Sequence, residues 1–116
     1  MSVYSGEFEV HGEVFNLYAD RLIIRNGVIA FTLSGSDDDG EFKVEGNANL
    51  TSSGKYISNV LKVYYTSFGK EDKATIQFDV IKPTMKKLRC KVEGKWTQDI
   101  QNSWLFSGNL RPYKSK

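Results

Sequence analysis

The chain has 116 residues, a formal charge of +2, and 40% hydrophobic and 26% charged residues. That length suits one domain spanning 1–116 with a single core, and the composition excludes disorder. The small net charge gives no electrostatic footprint for nucleic acid or a membrane surface, and no run approaches the roughly 18 apolar residues of a membrane span.

Six Tyr, seven Phe and two Trp against two Pro favour strands over helices. The start, "MSVYSGEFEV", lacks the basic segment and apolar run of a secretion signal. The single Cys90 cannot form an internal disulfide. Both observations point to a reducing cytoplasm, where the sequon Asn49-Leu50-Thr51 goes unmodified.

In chain order the pattern predicts about eight strands, near 3–11, 13–18 with 21–25, 28–34, 41–50, 55–66, 73–82, 86–97 and 103–111. "YAD" interrupts the second as a bulge or turn. Turn residues lie between the others: "RNG" at 25–27, "SDDDG" at 36–40, "SSG" at 52–54, "FGKED" at 68–72 and "KPT" at 82–84. Within 55–68, Ile57, Leu61, Tyr64 and Phe68 also have helical spacing, but the Val and Tyr content favours a strand. Short connections between successive strands give an up-and-down antiparallel meander.

One form recurs along the chain: apolar-x-apolar-x-Gly-x-apolar. It appears as Phe8-Val10-Gly12-Val14, Phe42-Val44-Gly46-Ala48, Cys90-Val92-Gly94-Trp96 and Trp104-Phe106-Gly108-Leu110. The intervening positions are polar except Leu105, so each strand has one wet and one dry face, with the glycine on the dry one. A glycine there lets the strand bend inward without a Cβ in the way. Gly12, Gly46, Gly94 and Gly108 are therefore expected as corners of a closed or nearly closed barrel, the rival role being clearance for a ligand.

Matching inward positions sets the registers. In the last hairpin Trp96 faces Trp104, Gly94 faces Phe106, Val92 faces Gly108 and Cys90 faces Leu110, with the two tryptophans expected to stack. In the 28–50 hairpin, Phe31 faces Val44 and Ile29 faces Gly46 around a loop of Ser36, Asp37, Asp38 and Asp39. Leu61 opposite Phe78, and Phe78 opposite Cys90, extend the core.

Catalytic chemistry finds no foothold. His11, the only histidine, points outward among Glu9 and Glu13, away from the inward Cys90. One Cys and one His make no ordinary zinc site. No glycine-rich phosphate loop opens a helix. Asp37, Asp38 and Asp39 with Glu41 lack the alternating ligands of a calcium loop and fit a solvated hairpin tip. The basic run Lys82, Lys86, Lys87, Arg89, Lys91 and Lys95 lacks exposed aromatics for stacking bases, so it is a solvated face and not a nucleic-acid platform. No enzyme, cofactor or metal is expected.

A short meander of about eight strands with curved inner faces resembles the calycin architecture of avidins, lipocalins and fatty-acid-binding proteins, whose members bind small, mostly apolar molecules in the barrel mouth. Lipocalins carry Gly-x-Trp on their first strand. Gly94-Lys95-Trp96 has that form but sits near the end of this chain, so no binding residue is carried over. The expected function is thus an all-β, calycin-like barrel holding a small apolar or amphipathic ligand, lined by Phe42, Phe78, Trp96, Trp104 and Phe106, with Asn59 as a polar anchor. The alternative is a protein-interaction module (an inhibitor, immunity protein or subunit), or a homo-oligomer, using the outward row Tyr56, Val60 and Tyr64.

Overall fold

A computed structural model describes residues 2–66, 69, 71–84, 89–99 and 101–113. Phe68, Lys86 and Lys87 from the patterns above lie outside the described residues, as does the side chain of Lys82. The elements are β1 (Ser2–Val10), β2 (Asn16–Arg25), β3 (Val28–Asp37), β4 (Gly40–Leu50), β5 (Tyr56–Ser58), β6 (Leu61–Tyr65), β7 (Glu71–Thr84), β8 (Arg89–Thr97) and β9 (Ser103–Pro112). The expected strand over 55–66 is a strand in two pieces, β5 and β6, both seated between β4 and β7. Every pairing is antiparallel, and β1 pairs with β9 as well as β2, so the sheet closes into an eight-stranded up-and-down barrel. "YAD" is a bulge, marked by a register shift between Ala19 and Arg21.

Alternation places the core. Leu22, Ile29, Leu33, Val44, Ile76, Phe78, Cys90, Val92 and Leu110 are all fully enclosed and come from β2, β3, β4, β7, β8 and β9. Phe78 stands at the waist, its ring edge-on to Phe31 at 5.4 Å and to Phe106 at 5.9 Å between centroids. Phe8 joins Phe106 at 4.8 Å. Such edge contacts suit the ring quadrupole and add to simple burial.

Gly94 and Gly108 are corners. A Cβ on Gly94 would lie 2.3 Å from the carbonyl oxygen of Gln77 and 2.5 Å from Phe106 Cζ. One on Gly108 would lie 2.4 Å from the carbonyl oxygen of Glu7. The sheet coils so tightly there that the neighbouring strand occupies the space a side chain would need. Gly46 instead makes room for Leu61, whose Cδ2 would be 2.7 Å from an added Cβ. At these three positions the missing side chain is replaced by protein, not by an open space. Gly12 is different: it sits in the turn after β1 with φ +85°, exposed, and Val14 beyond it is 52% exposed. The first instance of the repeat thus ends at Val10, and Gly12 serves a left-handed turn rather than a barrel corner.

The last hairpin has the expected register throughout. The 28–50 hairpin is displaced by two: Phe31 faces Gly46, Ile29 faces Ala48 and Leu33 faces Val44. Its strands run on to Asp37 and Gly40, leaving only Asp38 and Asp39 as the tip. Leu61 faces Ala74, and Phe78 faces Tyr56 and Gly94; Cys90 lies opposite Pro83. The differences around Leu61, Phe78 and Cys90 go with the break at Asn59–Val60 and a bulge between Phe78 and Val80, neither visible as a turn signal.

The break is held by Ser58. Its hydroxyl accepts a hydrogen bond from Ile76 N–H at 2.9 Å and donates one to the Asn59 carbonyl at 2.7 Å. Two residues outside the ladder change the parity. Tyr56 and Ser58 face inward before it, and Val63 and Tyr65 after it. Tyr56 therefore packs against the core while Val60 (66% exposed) and Tyr64 (50% exposed) face out, so the three do not form one outer row. Asn59 is exposed at the break and is no interior anchor.

Candidate ligand site at one end of the barrel

The connections after β1, β3, β6 and β8 lie at one end of the barrel; those after β2, β4 and β7 lie at the other. Strand parity brings inward aromatics from four strands to the first end: Phe42 on β4, Tyr65 on β6, Trp96 on β8 and Trp104 on β9. Phe15, on the 11–15 connection, reaches into this group. Its ring centroid is 5.2 Å from Trp96, 5.6 Å from Trp104 and 6.0 Å from Phe42. Phe42 continues the set to Trp96 at 5.6 Å and Tyr65 at 5.7 Å. The two tryptophans are register partners, but each indole packs on Phe15 instead of stacking on the other.

The connection that carries Phe15 is a tight one. Gly12 and Glu13 both have left-handed backbones, Glu13 at φ 53°, and the His11 amide is tied to the Leu105 carbonyl at 2.8 Å. A non-glycine residue in that region carries local strain. Phe15 itself is only half-buried, a stopper rather than a core residue. It shares the parity of Leu17 and Ala19, the one signal in the sequence that could have found it.

Polar groups around the rings are ordered. Tyr65 donates its hydroxyl to Asp37 Oδ2 at 2.6 Å. Burial, that hydrogen bond and the charges of Asp37, Asp72 and Asp39 together hold the phenol well above its usual range. Asp72 Oδ2 accepts from the Gln98 side-chain amide at 2.8 Å. In the 98–102 connection Asp99 gathers hydrogen bonds from the Asn102 side chain and the Gln101 and Asn102 amides, which lowers its carboxyl below the ordinary value.

One group is left over. Trp96 is 3% exposed, and among the described residues its Nε1–H has no hydrogen-bond partner. Buried donors nearly always find an acceptor.

Beside this end, a trough of about 1190 Å³ runs along the outer wall and reaches Phe15 and Phe42. Glu7, Glu9, Glu13, Tyr18, Lys43 and Lys91 are among its lining residues. The sequence-predicted lining thus divides. Phe42, Trp96 and Trp104 meet at this end with Phe15 and Tyr65, which sequence reasoning missed. Phe78 and Phe106 belong to the packed waist.

No family model, curated protein or solved structure matches the chain.

Other chemistry is sparse. Among the described residues no cluster of His, Cys, Asp and Glu is arranged to hold a metal ion. His11 is exposed, and Cys90 is enclosed on the far side of the wall, its thiol pushed up to about 11 by burial. No helix among the described residues is long and apolar enough to cross a membrane.

Proposed function

We propose that the protein binds a small amphipathic molecule at the aromatic end of the barrel, displacing Phe15 and giving Trp96 its missing partner. The observation that carries this reading is the orphaned Trp96 Nε1–H within a set of aromatic rings. An unsatisfied buried donor costs about 1–3 kcal/mol, which a ligand acceptor at that place would recover. Small-molecule sites are commonly concave, mostly apolar and supplied with a few polar groups that fix orientation. Rings and one free donor match that description, and the half-buried Phe15 on a strained turn is the element able to move. The packed waist limits the ligand to the end of the barrel, with its remainder along the trough.

Tryptophan emission reads this directly, since both indoles line the site. Decan-1-ol, an apolar chain with one hydroxyl acceptor, is expected to change the emission saturably. Trp96→Phe keeps an aromatic ring and removes the donor, and should weaken binding by about tenfold, followed through Trp104. Phe15→Ala removes the stopper and should tighten it. A flat emission titration in both the native protein and Phe15→Ala would overturn the proposal.

A further inference from the structure

Phe15 holds the place of a ring. Its centroid lies 5.2 Å from Trp96, 5.6 Å from Trp104 and 6.0 Å from Phe42, at interplanar angles of 54°, 89° and 68°. None of the three contacts is a flat stack, and edges meet faces as the ring quadrupole favours. The place is therefore walled by three aromatic rings and sized for one more. Of the five rings at this end, only Phe15 is not carried by a strand. It is half-buried and comes from a connection in which Gly12 and Glu13 have left-handed backbones. A phenyl group also leaves one need of its surroundings unmet. The Trp96 indole against which it packs has no partner for its Nε1–H among the described residues, and a phenyl offers none.

We infer that the ligand is recognised through a planar aromatic ring bearing a neutral hydrogen-bond acceptor, the chemistry of an aryl ketone, an aryl ester or a nitrogen heteroaromatic. The inference rests on the site proposed above and names the group that enters it. The ring takes the position of the Phe15 phenyl and keeps its edge-to-face contacts with Phe42, Trp96 and Trp104, which a saturated group of equal volume does not make. The acceptor answers Trp96, because an indole N–H only donates. A carbonyl or ring nitrogen does this without bringing a proton of its own into the cluster, whereas a hydroxyl adds a donor that needs a second partner. The side chains of Phe15, Phe42, Trp96 and Trp104 carry no oxygen to receive that proton, and the Tyr65 hydroxyl is turned to Asp37 at 2.6 Å. A carboxylate would have to shed its water among ring faces that are themselves negative, a cost that a neutral acceptor does not meet. The remainder of the molecule continues from the ring into the trough that reaches Phe15 and Phe42.

The test uses acetophenone, which has both features, and two relatives that each lack one. Ethylbenzene has the ring without the acceptor, and 1-cyclohexylethanone has the acceptor without the flat ring. Binding is followed by proton–nitrogen NMR of the two indole N–H groups, the Trp96 signal being the one missing from Trp96→Phe. Acetophenone should move the Trp96 signal downfield saturably, as a hydrogen bond to oxygen does, and ethylbenzene, with the same ring, should not. Acetophenone should bind about fivefold more tightly than 1-cyclohexylethanone, the value of one edge-to-face contact. Ethylbenzene is the more hydrophobic probe, so its comparison is made between proteins. The ratio of acetophenone to ethylbenzene affinity should fall about tenfold in Trp96→Phe, read through backbone amide signals. Phe15→Ala, which vacates the place, should tighten acetophenone binding. A Trp96 signal that responds alike to acetophenone and ethylbenzene, or 1-cyclohexylethanone binding as tightly as acetophenone, overturns the inference and leaves the site standing. Silence from all three probes and from decan-1-ol, in the native protein and in Phe15→Ala, overturns the site itself.

Discussion

Replacing Gly94 by alanine should be among the most damaging single-methyl additions available to this barrel. The added Cβ would sit 2.3 Å from the Gln77 carbonyl oxygen and 2.5 Å from Phe106 Cζ. The first obstacle is backbone, fixed by the β7–β8 ladder in which Gln77 pairs with Lys95 and Phe78 with Gly94. The second is a ring wedged between Phe8 and Phe78. Neither can retreat without breaking hydrogen bonds or moving the waist. Overpacking costs about 1–3 kcal/mol, and with backbone as the obstacle the expected value is the upper limit, about 3 kcal/mol. For a domain of this size that corresponds to a drop of about 12 °C in Tm, at about 4 °C per kcal/mol. Gly46→Ala provides the internal control. The three atoms nearest its Cβ all belong to the Leu61 side chain, Cδ2 at 2.7 Å, Cδ1 at 2.8 Å and Cγ at 3.3 Å, a partly buried side chain beside the strand break. A rotamer change relieves that clash, so about 1 kcal/mol is expected, near the cost of an off-rotamer side chain. Urea unfolding followed by far-ultraviolet circular dichroism measures both. If Gly46→Ala proves as costly as Gly94→Ala, or if Gly94→Ala stays within about 0.5 kcal/mol of the native protein, the account of the glycines as close-approach corners is wrong.

Ser58→Ala should destabilise the barrel by about 1–3 kcal/mol, because it leaves the Ile76 amide buried without an acceptor; Ser58→Thr, which keeps the hydroxyl, should cost less in the same urea titration. Cys90 should resist a disulfide reagent at pH 8 in the native protein and react rapidly in denaturant, since its thiol is held near 11 by burial. The same shift sets a pH dependence. Below the unfolded thiol pKa the group is neutral in both states and has no effect. Above it the unfolded chain ionises first, so stability falls as pH rises from about 9 towards 11, and Cys90→Ala should flatten that decline in urea midpoints.

The parts of the fold written in the sequence are those carried by period-two alternation. Cys90, Val92, Gly94 and Trp96 against Leu110, Gly108, Phe106 and Trp104 admit one sensible register, because bulky residues sit opposite glycines on both sides. The Phe31–Gly46 hairpin shows the limit. Displacing a strand by two residues keeps every side chain on its own face, so alternation fits either register equally and the length of the turn decides. Tyr56 shows another: a break of two residues at Asn59–Val60 reverses which side chains face inward, and no glycine or proline announces it. Trp96 and Trp104 were legible as a pair at one end of the barrel. Phe15 between them was not, because a residue at the edge of a connection has no cross-strand partner to mark it.

The closure of the sheet between β1 and β9 bears on how the protein folds. Tyr4 pairs with Pro112 and Val10 with Phe106, so β1 waits for β9, the last strand of the barrel, before its outer edge is satisfied. Pairing of such widely separated segments carries the entropy of a very long loop and slows folding relative to local hairpins. Until β9 arrives, β1 and β8 are open edges, each able to recruit a strand from another nascent chain. Growth temperature, synthesis rate and chaperone supply should therefore govern the yield of this protein more strongly than its final stability does.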